Sequence, residues 1–199
     1  MLSYKQGVNM RVVKAICQRR SIRNFKSDKI DEKLIEDILN CGRLAPSAKN
    51  RQPWHFMAIL RKDLVEKIGQ IMLDTHKKED DEYVEKVLKS KNSVIATAKV
   101  VKQAPVLILI FQINDDNWST GDNLSIGGSI ENMILRSCEL GLGTLWIRDT
   151  VYAREEITKA IGWKDKDYVL NCALAIGKPN EKPLQRPRKN LSDITTWIK

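Results

Sequence analysis

The sequence predicts an α/β or α+β sandwich, in which helices flank a central sheet. Two kinds of segment alternate along the chain and predict this class. Short apolar runs rich in β-branched residues, such as Val106–Ile113, are typical of buried strands. Longer segments with apolar residues three or four positions apart, such as residues 31–41, are typical of amphipathic helices. Hydrophobic residues make up 42% of the 199 residues, which is enough for a packed core, and we expect one domain over residues 1–199.

The first half of the chain is predicted to hold three helices and one strand. Apolar residues at helical spacing mark the helices at residues 9–18, 31–41 and 63–77, and the strand at residues 55–60 follows a proline turn. Asp31 is expected to cap the second helix and Gly42 to end it. The highly charged residues 77–91 fit either a solvent-exposed helix or a lid that gates an active site.

The second half is predicted to alternate helices with buried strands. Helices are expected at residues 92–103, 123–140 and 153–161, and strands at residues 106–113, 144–147 and 170–176. Gly141 and Gly143 are expected to end the long helix and start the strand that follows it. The buried stripe of that helix is marked by Ile126, Ile130, Met133, Ile134 and Leu140.

Composition excludes several classes of protein. The net charge of +9 is interleaved with acidic residues, and no stacking-aromatic or helix-turn-helix pattern accompanies it, so we expect no nucleic-acid partner. No apolar run reaches the roughly 20 residues that span a bilayer, and no secretory signal is visible, so we expect a cytoplasmic protein without a membrane partner. The two histidines are distant in sequence from the four cysteines, which indicates no metal site. The cysteines are expected to be buried free thiols.

The first candidate site lies at residues 19–23, where three arginines and a serine follow the first predicted helix. In an extended backbone alternate side chains share a face, so Arg19, Ser21 and Arg23 would point the same way. One guanidinium group can donate two parallel hydrogen bonds to phosphate oxygens, and a hydroxyl adds a further donor. The pattern fits a phosphate site as well as it fits a solvated basic turn.

The second candidate is the turn-rich loop at residues 45–54, which contains Asn50 and Gln52. Each amide can donate and accept hydrogen bonds at once, which suits a heterocycle with alternating carbonyl and N–H groups, such as the pyrimidine end of a flavin. An ordinary ordered loop that is anchored in the core by Trp54 would have the same composition.

Two later features are ambiguous when each is taken alone. The glycines at residues 127–143 stand before a strand and not after one, which is the reverse of a dinucleotide fingerprint. We therefore expect no Rossmann site, and a helix stop accounts for the Gly-x-Gly. The other feature is a basic cluster after the last strand, formed by Arg186, Arg188 and Lys189, which fits a solvated tail or a phosphate contact.

The joint order of these blocks resembles the nitroreductase family of flavoproteins. The blocks are RRSIR near residue 20, PSAKNRQPWHF near 50, ENMILRSCELGLGTLWI near 140, AIGKP near 177 and RPRK near 188. The resemblance runs from about residue 10 to residue 193. It implies a central, mainly antiparallel sheet flanked by helices, in a two-fold symmetric homodimer with FMN bound at the interface.

The resemblance also implies which residues bind FMN. The flavin-binding start motif corresponds to Arg19, Ser21 and Arg23, with help from Arg20, and the basic pair that reaches the phosphate corresponds to Arg186 and Arg188. Contact with the ring is assigned to Asn50, and approach to the flavin from the other subunit to Pro46 and Ser47. The strand whose backbone runs beside the ring is Leu145, Trp146 and Ile147.

Members of this family take hydride from NADH or NADPH onto the flavin and pass two electrons to a nitroaromatic, quinone or similar small acceptor in a ping-pong cycle. Because the flavin carries the chemistry, no side chain is assigned a catalytic role. The chain departs from the pattern at Arg148-Asp149, where many members carry glycine or glutamate-glycine. Arg148 at the reactive face would favour an anionic substrate or raise the flavin potential. An Arg148–Asp149 pair turned to solvent is the alternative.

Two other functions are compatible with the same resemblance. Some relatives on this scaffold remove halogens, fragment the flavin or oxidise azoline rings. A protein that binds FMN without significant turnover is the second alternative. The sequence does not specify the physiological acceptor or the choice between NADH and NADPH.

Overall fold

The centre of the molecule is an antiparallel sheet. The computed structural model describes residues 12–78 and 91–199. The strands are β1 (Trp54–Ile59), β2 (Val106–Ile113), β3 (Gly143–Ile147) and β4 (Tyr168–Gly177). They lie in the order β1-β2-β4-β3, and each neighbouring pair is antiparallel. The predicted α+β class and the mainly antiparallel sheet are confirmed.

Helices flank this sheet. Those of the described residues are α1 (Val12–Gln18), α2 (Glu32–Arg43), α3 (Lys62–Lys78), α4 (Lys91–Gln103), α5 (Ser119–Glu139) and α6 (Arg154–Ala160). Short 3₁₀ turns occur at Ala48–Asn50, Asp149–Ala153 and Leu191–Ile194. Residues 79–90, most of the segment predicted as an exposed helix or a lid, lie outside the described residues. In the part of the chain that is described, no helix has both the length and the apolarity needed to cross a bilayer.

β2 forms the middle of the core because its side chains are buried on both faces of the sheet. Leu107 and Leu109 pack with buried residues of α3, α4 and α6. Ile108 and Ile110 point to the opposite face and pack with α2 and α5. A strand that is apolar on both faces needs a helical layer on each side, which is why its sequence is a nearly continuous apolar run.

α2 begins as predicted but ends differently. The Asp31 side chain accepts a hydrogen bond from the Lys33 N–H at 3.0 Å, which confirms the predicted cap. Gly42 does not end the helix, which continues to Arg43. A Cβ at Gly42 would lie 2.8 Å from Cγ of Met133. This glycine therefore permits the close approach of α2 to α5, and does not act as a helix stop.

α5 is longer at its start than predicted and ends where predicted. It begins at Ser119 and not at residue 123, so its first turn includes residues that the sequence pattern assigns to a loop. Gly141 follows the helix with a φ of 74°, a left-handed conformation that glycine adopts without strain. The Leu142 N–H donates to the Ser137 carbonyl at 2.8 Å, as in a Schellman motif.

The cysteines occupy different environments. Cys172 is buried, Cys41 and Cys138 are half-buried, and Cys17 is exposed, and all are free thiols. The expectation of burial is wrong for Cys17, because α1 is a short helix with only Ala15 buried.

Candidate functional site

The arginine segment at residues 19–23 lies along β3, which is at one edge of the sheet. Ser21 pairs in parallel with Thr144, and the Ile22 N–H donates to the Thr144 carbonyl at 2.9 Å. The Ile22 side chain is buried against Gly143, where a Cβ would lie 2.5 Å from Ile22 Cγ1. Backbone pairing and this close contact together fix the segment at one end of β3.

The chain returns to the same edge after β4. Phe25 pairs with Pro179 in an antiparallel bridge. The Glu181 carboxylate accepts hydrogen bonds from the backbone N–H groups of Arg23 and Asn24. The start motif and the segment that leads to the C-terminal basic cluster therefore run side by side.

A cavity of about 390 Å³ lies where these segments meet the end of α5, and Arg19, Thr144, Cys138 and Lys182 are among its lining residues. The Nε of Arg19 is buried and has no hydrogen-bond partner among residues 12–78 and 91–199. A buried, unpaired guanidinium N–H is costly, and a phosphate oxygen would supply the missing acceptor. Within the same residues, no three His, Cys, Asp or Glu side chains converge to hold a metal ion.

The guanidinium of Arg20 forms its hydrogen bonds within the protein. Its Nη1 donates to the carbonyls of Cys17 and Arg19 at 2.7 and 2.8 Å, and its Nη2 donates to Gln185 Oε1 at 3.4 Å. A cation at the C-terminal end of α1 also interacts favourably with the helix dipole. Arg20 thus joins α1 to the C-terminal segment and is less available to a ligand than Arg19.

The other arginines of the predicted phosphate site lie on the surface. Arg23 donates from Nη1 to the Ser21 carbonyl at 3.3 Å. Arg186 and Arg188 are exposed, and Nη1 of Arg188 contacts the carbonyls of Arg186 and Pro187 at 3.2 and 3.3 Å. The fold brings the backbone of residues 19–23 next to the segment that follows β4, and it leaves these exposed guanidinium groups accessible to a ligand.

The second predicted site is a strained loop between α2 and β1. Lys49, Asn50 and Gln52 have φ angles of 51°, 55° and 48°, in a left-handed region that few non-glycine residues adopt. Ser47 Oγ accepts a hydrogen bond from the Gln52 N–H at 2.9 Å. Asn50 and Pro46 are both exposed. The unusual backbone therefore keeps the predicted ring-contacting amide at the surface.

One chain does not bring the two predicted sites together. The loop contacts the start of α5, where the Ala48 N–H lies 3.5 Å from Ser125 Oγ. Cys138, which lines the cavity beside Arg19, lies near the other end of α5. At a rise of about 1.5 Å per residue, Ser125 and Cys138 are about 20 Å apart. A ligand held by both sites must be long or must lie between two copies of the chain.

β3 offers one side chain of the predicted strand motif to the surface. Leu145 and Ile147 are buried in the core. Trp146 faces α5 and remains 46% exposed, and a Cβ at Gly127 would lie 3.8 Å from its Cη2. Of the strand motif, Trp146 is therefore the side chain that a ligand can reach.

Arg148 follows β3 at the end opposite Thr144, about 13 Å away at about 3.3 Å per residue. Arg148 is exposed, and the described residues give its side chain no ion pair or hydrogen bond. Asp149 accepts a hydrogen bond from the Thr97 hydroxyl instead. The described residues form no Arg148–Asp149 ion pair, although Arg148 is turned to solvent as that alternative expected, so its charge is not neutralised by its neighbour.

Sequence patterns do not identify the residues that hold the strained loop. The Arg51 guanidinium donates two hydrogen bonds to the Asp122 carboxylate, each 3.2 Å long, and a third to Asp115 at 3.1 Å. Asp122 is fully buried. Hydrogen bonding to Asp122 raises the pKa of Arg51 above its ordinary value. Asp122 is a carboxylate in the first turn of a helix, a common arrangement that does not indicate a partner 71 residues away.

Comparison with known proteins gives consistent matches. The model of the Nitroreductase family matches residues 16–178. A Methanothermobacter thermautotrophicus protein, provisionally named an NADH dehydrogenase/NAD(P)H nitroreductase, is 27% identical over 180 residues, which are 87% of this chain and 80% of that protein. The 5,6-dimethylbenzimidazole synthase of Rhodospirillum rubrum is 27% identical over 177 residues, which are 82% of this chain and 80% of that enzyme.

A solved structure gives the same result for the fold. The crystal structure of a BluB-like flavoprotein from Clostridium difficile 630 matches with a TM-score of 0.78 and 29% sequence identity. The match covers 96% of this chain and 100% of that chain. Since the family model spans most of the sequence, from α1 to the end of β4, the chain belongs to the nitroreductase family.

Proposed function

We propose that this chain is a cytoplasmic, FMN-dependent oxidoreductase. It transfers two electrons from NADH or NADPH, through bound FMN, to a nitroaromatic, a quinone or a similar small acceptor. The observation that carries the proposal is the buried Nε of Arg19 beside a cavity, which has no hydrogen-bond partner among residues 12–78 and 91–199, in a chain of the nitroreductase family. FMN ends in a phosphate, whose oxygens are the acceptors that Arg19 lacks.

The phosphate end of FMN would be held by the two segments that run side by side along β3. Arg19 lines the cavity, and Ser21 and Arg23, which follow it in the segment paired with β3, would add further donors to the phosphate. Arg20 acts mainly by fixing the segment to α1 and Gln185. The C-terminal segment would contribute its exposed guanidinium groups, those of Arg186 and Arg188.

The ring end would meet the loop at residues 46–52 and the strand motif. The Asn50 amide can donate and accept at the pyrimidine end, and Pro46 and Ser47 lie in the same loop. The backbone of Leu145, Trp146 and Ile147 would run beside the ring. Bound FMN supplies hydride acceptance and two-electron transfer. The chain's donors near the pyrimidine end would stabilise negative charge there, so no side chain needs to act as an acid or base.

A homodimer would bring both ends together, because one chain leaves the loop and the Arg19 cavity about 20 Å apart along α5. Exposed apolar side chains on α1 support an interface: Val12 and Val13 are 68% and 70% exposed, and Ile16 is 54% exposed. Sedimentation velocity should give a dimer for the wild type. Val13→Asp should give a monomer that also binds FMN weakly, and a stable monomeric wild type with full affinity would contradict the proposal.

Arg148 is proposed to act on the substrate or the flavin potential from the far end of β3. Its guanidinium is exposed, and no carboxylate of the described residues pairs with it. A positive charge at the reactive face would favour an anionic acceptor and a more oxidising flavin. This feature bears on the choice of acceptor and not on the binding of FMN.

A second candidate function is another flavin-dependent reaction on the same scaffold. The match to a 5,6-dimethylbenzimidazole synthase, 27% identical over 82% of this chain, makes flavin fragmentation the alternative reaction. The two functions differ in the fate of the cofactor. Fragmentation consumes the flavin, so its absorbance would be lost irreversibly when oxygen is admitted to the reduced protein.

Steady-state kinetics with several acceptors test the proposed reaction. The purified protein with FMN would be supplied with NADH or NADPH and with a quinone or a nitroaromatic compound. We expect oxidation of the nucleotide that depends on the acceptor, with parallel double-reciprocal lines as a ping-pong cycle requires. Bound FMN without oxidation of either nucleotide, whichever acceptor is supplied, would favour a protein that binds FMN without significant turnover.

A further inference from the structure

The loop at residues 47–52 is held in a conformation that its own sequence disfavours. Three of its residues, Lys49, Asn50 and Gln52, have left-handed φ angles of 51°, 55° and 48°. Asparagine tolerates this region, whereas lysine and glutamine rarely adopt it. Such strain persists only where surrounding contacts over-determine the backbone, and it is concentrated at ligand sites.

Arg51 connects this loop to the rest of the molecule through two carboxylates and an aromatic ring. Its Nε and Nη2 each lie 3.2 Å from an oxygen of Asp122, which forms a bidentate pair with a fully buried carboxylate. Its Nη2 lies 3.1 Å from Asp115. The guanidinium carbon lies 4.7 Å from the centre of the Trp118 ring, and Lys49 Nζ lies 5.1 Å from the same centre.

These partners all come from the connection between β2 and α5 and from the first turn of α5, so the loop is anchored to an element of the core. The Asp122 carboxylate would be buried without a counter-charge if Arg51 were absent. Arg51 also stands between Asn50 and Gln52, two of the left-handed residues. The side chain of Arg51 points into the fold, whereas Asn50 stays exposed.

We propose that Arg51, through Asp122, Asp115 and Trp118, is a positioning residue that holds the Asn50 amide in its flavin-contacting orientation. Arg51 does not touch the cofactor. Its contacts with the start of α5 hold the left-handed turn in place, so that the amide of Asn50 is preorganised before FMN binds. This inference rests on the proposed function, since it assigns Asn50 to the flavin ring.

A double-mutant cycle tests the inference. FMN affinity is measured by quenching of flavin fluorescence for wild type, Arg51→Ala, Asn50→Ala and the double variant. We expect each single change to weaken binding by about tenfold to a hundredfold, since misplacing a positioning group costs this much. The double variant should bind no more weakly than the weaker single variant, because Arg51 acts through Asn50. The midpoint potential of bound flavin should shift in the same direction in both single variants.

Matched controls separate positioning from general destabilisation. Arg61→Ala removes a guanidinium–carboxylate pair with Asp63 whose side chains are 75% and 68% exposed, and it should leave FMN affinity unchanged. Arg51→Lys keeps the positive charge but cannot form the bidentate pair with Asp122, so it should give an intermediate FMN affinity in a protein that still folds. Thermal unfolding of each variant identifies any that fail to fold.

The outcomes distinguish this inference from the proposed function. Losses that add in the double variant, or an Arg51→Lys protein with wild-type affinity and potential, would overturn the positioning role while leaving FMN binding intact. A folded wild-type protein that does not bind FMN would overturn the proposed function, and the role of Arg51 with it.

Discussion

Ile22 packs so closely on Gly143 that a Cβ at position 143 would lie 2.5 Å from Ile22 Cγ1 and 2.9 Å from Ile22 Cβ. Since the second atom is attached to the backbone, a side chain at position 143 must displace the arginine segment from β3. We predict that Gly143→Ala lowers the free energy of unfolding by about 1–3 kcal/mol and weakens FMN binding. Denaturant unfolding and flavin titration measure the two effects.

The control for this prediction is Gly128→Ala, because a Cβ at Gly128 would meet no atom of the described residues within 4 Å. Gly128 lies inside α5, where alanine is favoured over glycine by about 1 kcal/mol. We expect the free energy of unfolding of the Gly128→Ala protein to equal or exceed that of the wild type. A Gly143→Ala protein with the stability and FMN affinity of wild type would contradict the role of the Ile22 contact.

Arg19 should distinguish FMN from riboflavin, which lacks the phosphate. Arg19→Ala should weaken FMN binding by about tenfold to a hundredfold, the effect of losing a hydrogen bond between charged groups. Riboflavin affinity should change little. Fluorescence titration of both ligands measures the difference, and an equal loss for the two would show that Arg19 does not contact the phosphate.

Arg148 should raise the midpoint potential of the bound flavin if it lies at the reactive face. We predict that Arg148→Gly lowers this potential by about 30 mV, which for two electrons corresponds to about 1.4 kcal/mol. The KM for an anionic acceptor should rise more than the KM for a neutral one. Arg154→Ala removes another exposed arginine and is the control. An unchanged potential together with an unchanged acceptor range would remove Arg148 from the site.

The buried thiol of Cys172 should make stability depend on pH in the alkaline range. Burial raises the pKa of Cys172 from its ordinary value of 9.0 to about 12. Above pH 9 the thiol ionises in the unfolded chain but not in the folded one, so unfolding releases a proton and stability falls. The contribution is at most about 1.4 kcal/mol per pH unit. It is absent below pH 9, where the thiol is protonated in both states.

Denaturant unfolding between pH 8 and pH 10 measures this effect by comparison of variants. Cys172→Ala should be less stable overall, because it leaves a small cavity, but its stability should fall less with rising pH than that of wild type. Cys17→Ala, at an exposed position, should keep the wild-type slope. Equal slopes in all three proteins would mean that Cys172 ionises alike in the folded and unfolded states.

The features that could be predicted from sequence are those fixed by local patterns. The unbroken apolar run of β2 identified a strand buried on both faces, and Asp31 identified the start of α2. Gly141 was predicted as a helix stop because a left-handed residue after a helix favours glycine. The order of the arginine and loop blocks was enough to indicate the family.

The features that could not be predicted depend on contacts between distant parts of the chain. Gly42 has the appearance of a helix stop, but its role depends on Met133, which lies on another helix. Arg51 is one more basic residue in a polar loop until the fold brings it to Asp122. The separation of Asn50 from the Arg19 cavity is likewise set by the length of α5, and no local sequence pattern indicates it.

The most direct test of the account is the visible spectrum of the purified protein, recorded before and after NADH and NADPH are added separately without oxygen. We expect a flavin spectrum that either nucleotide bleaches, with the faster reaction identifying the preferred donor. Flavin that binds but stays oxidised would contradict the proposed electron transfer. A colourless protein that takes up no added FMN would contradict the account as a whole.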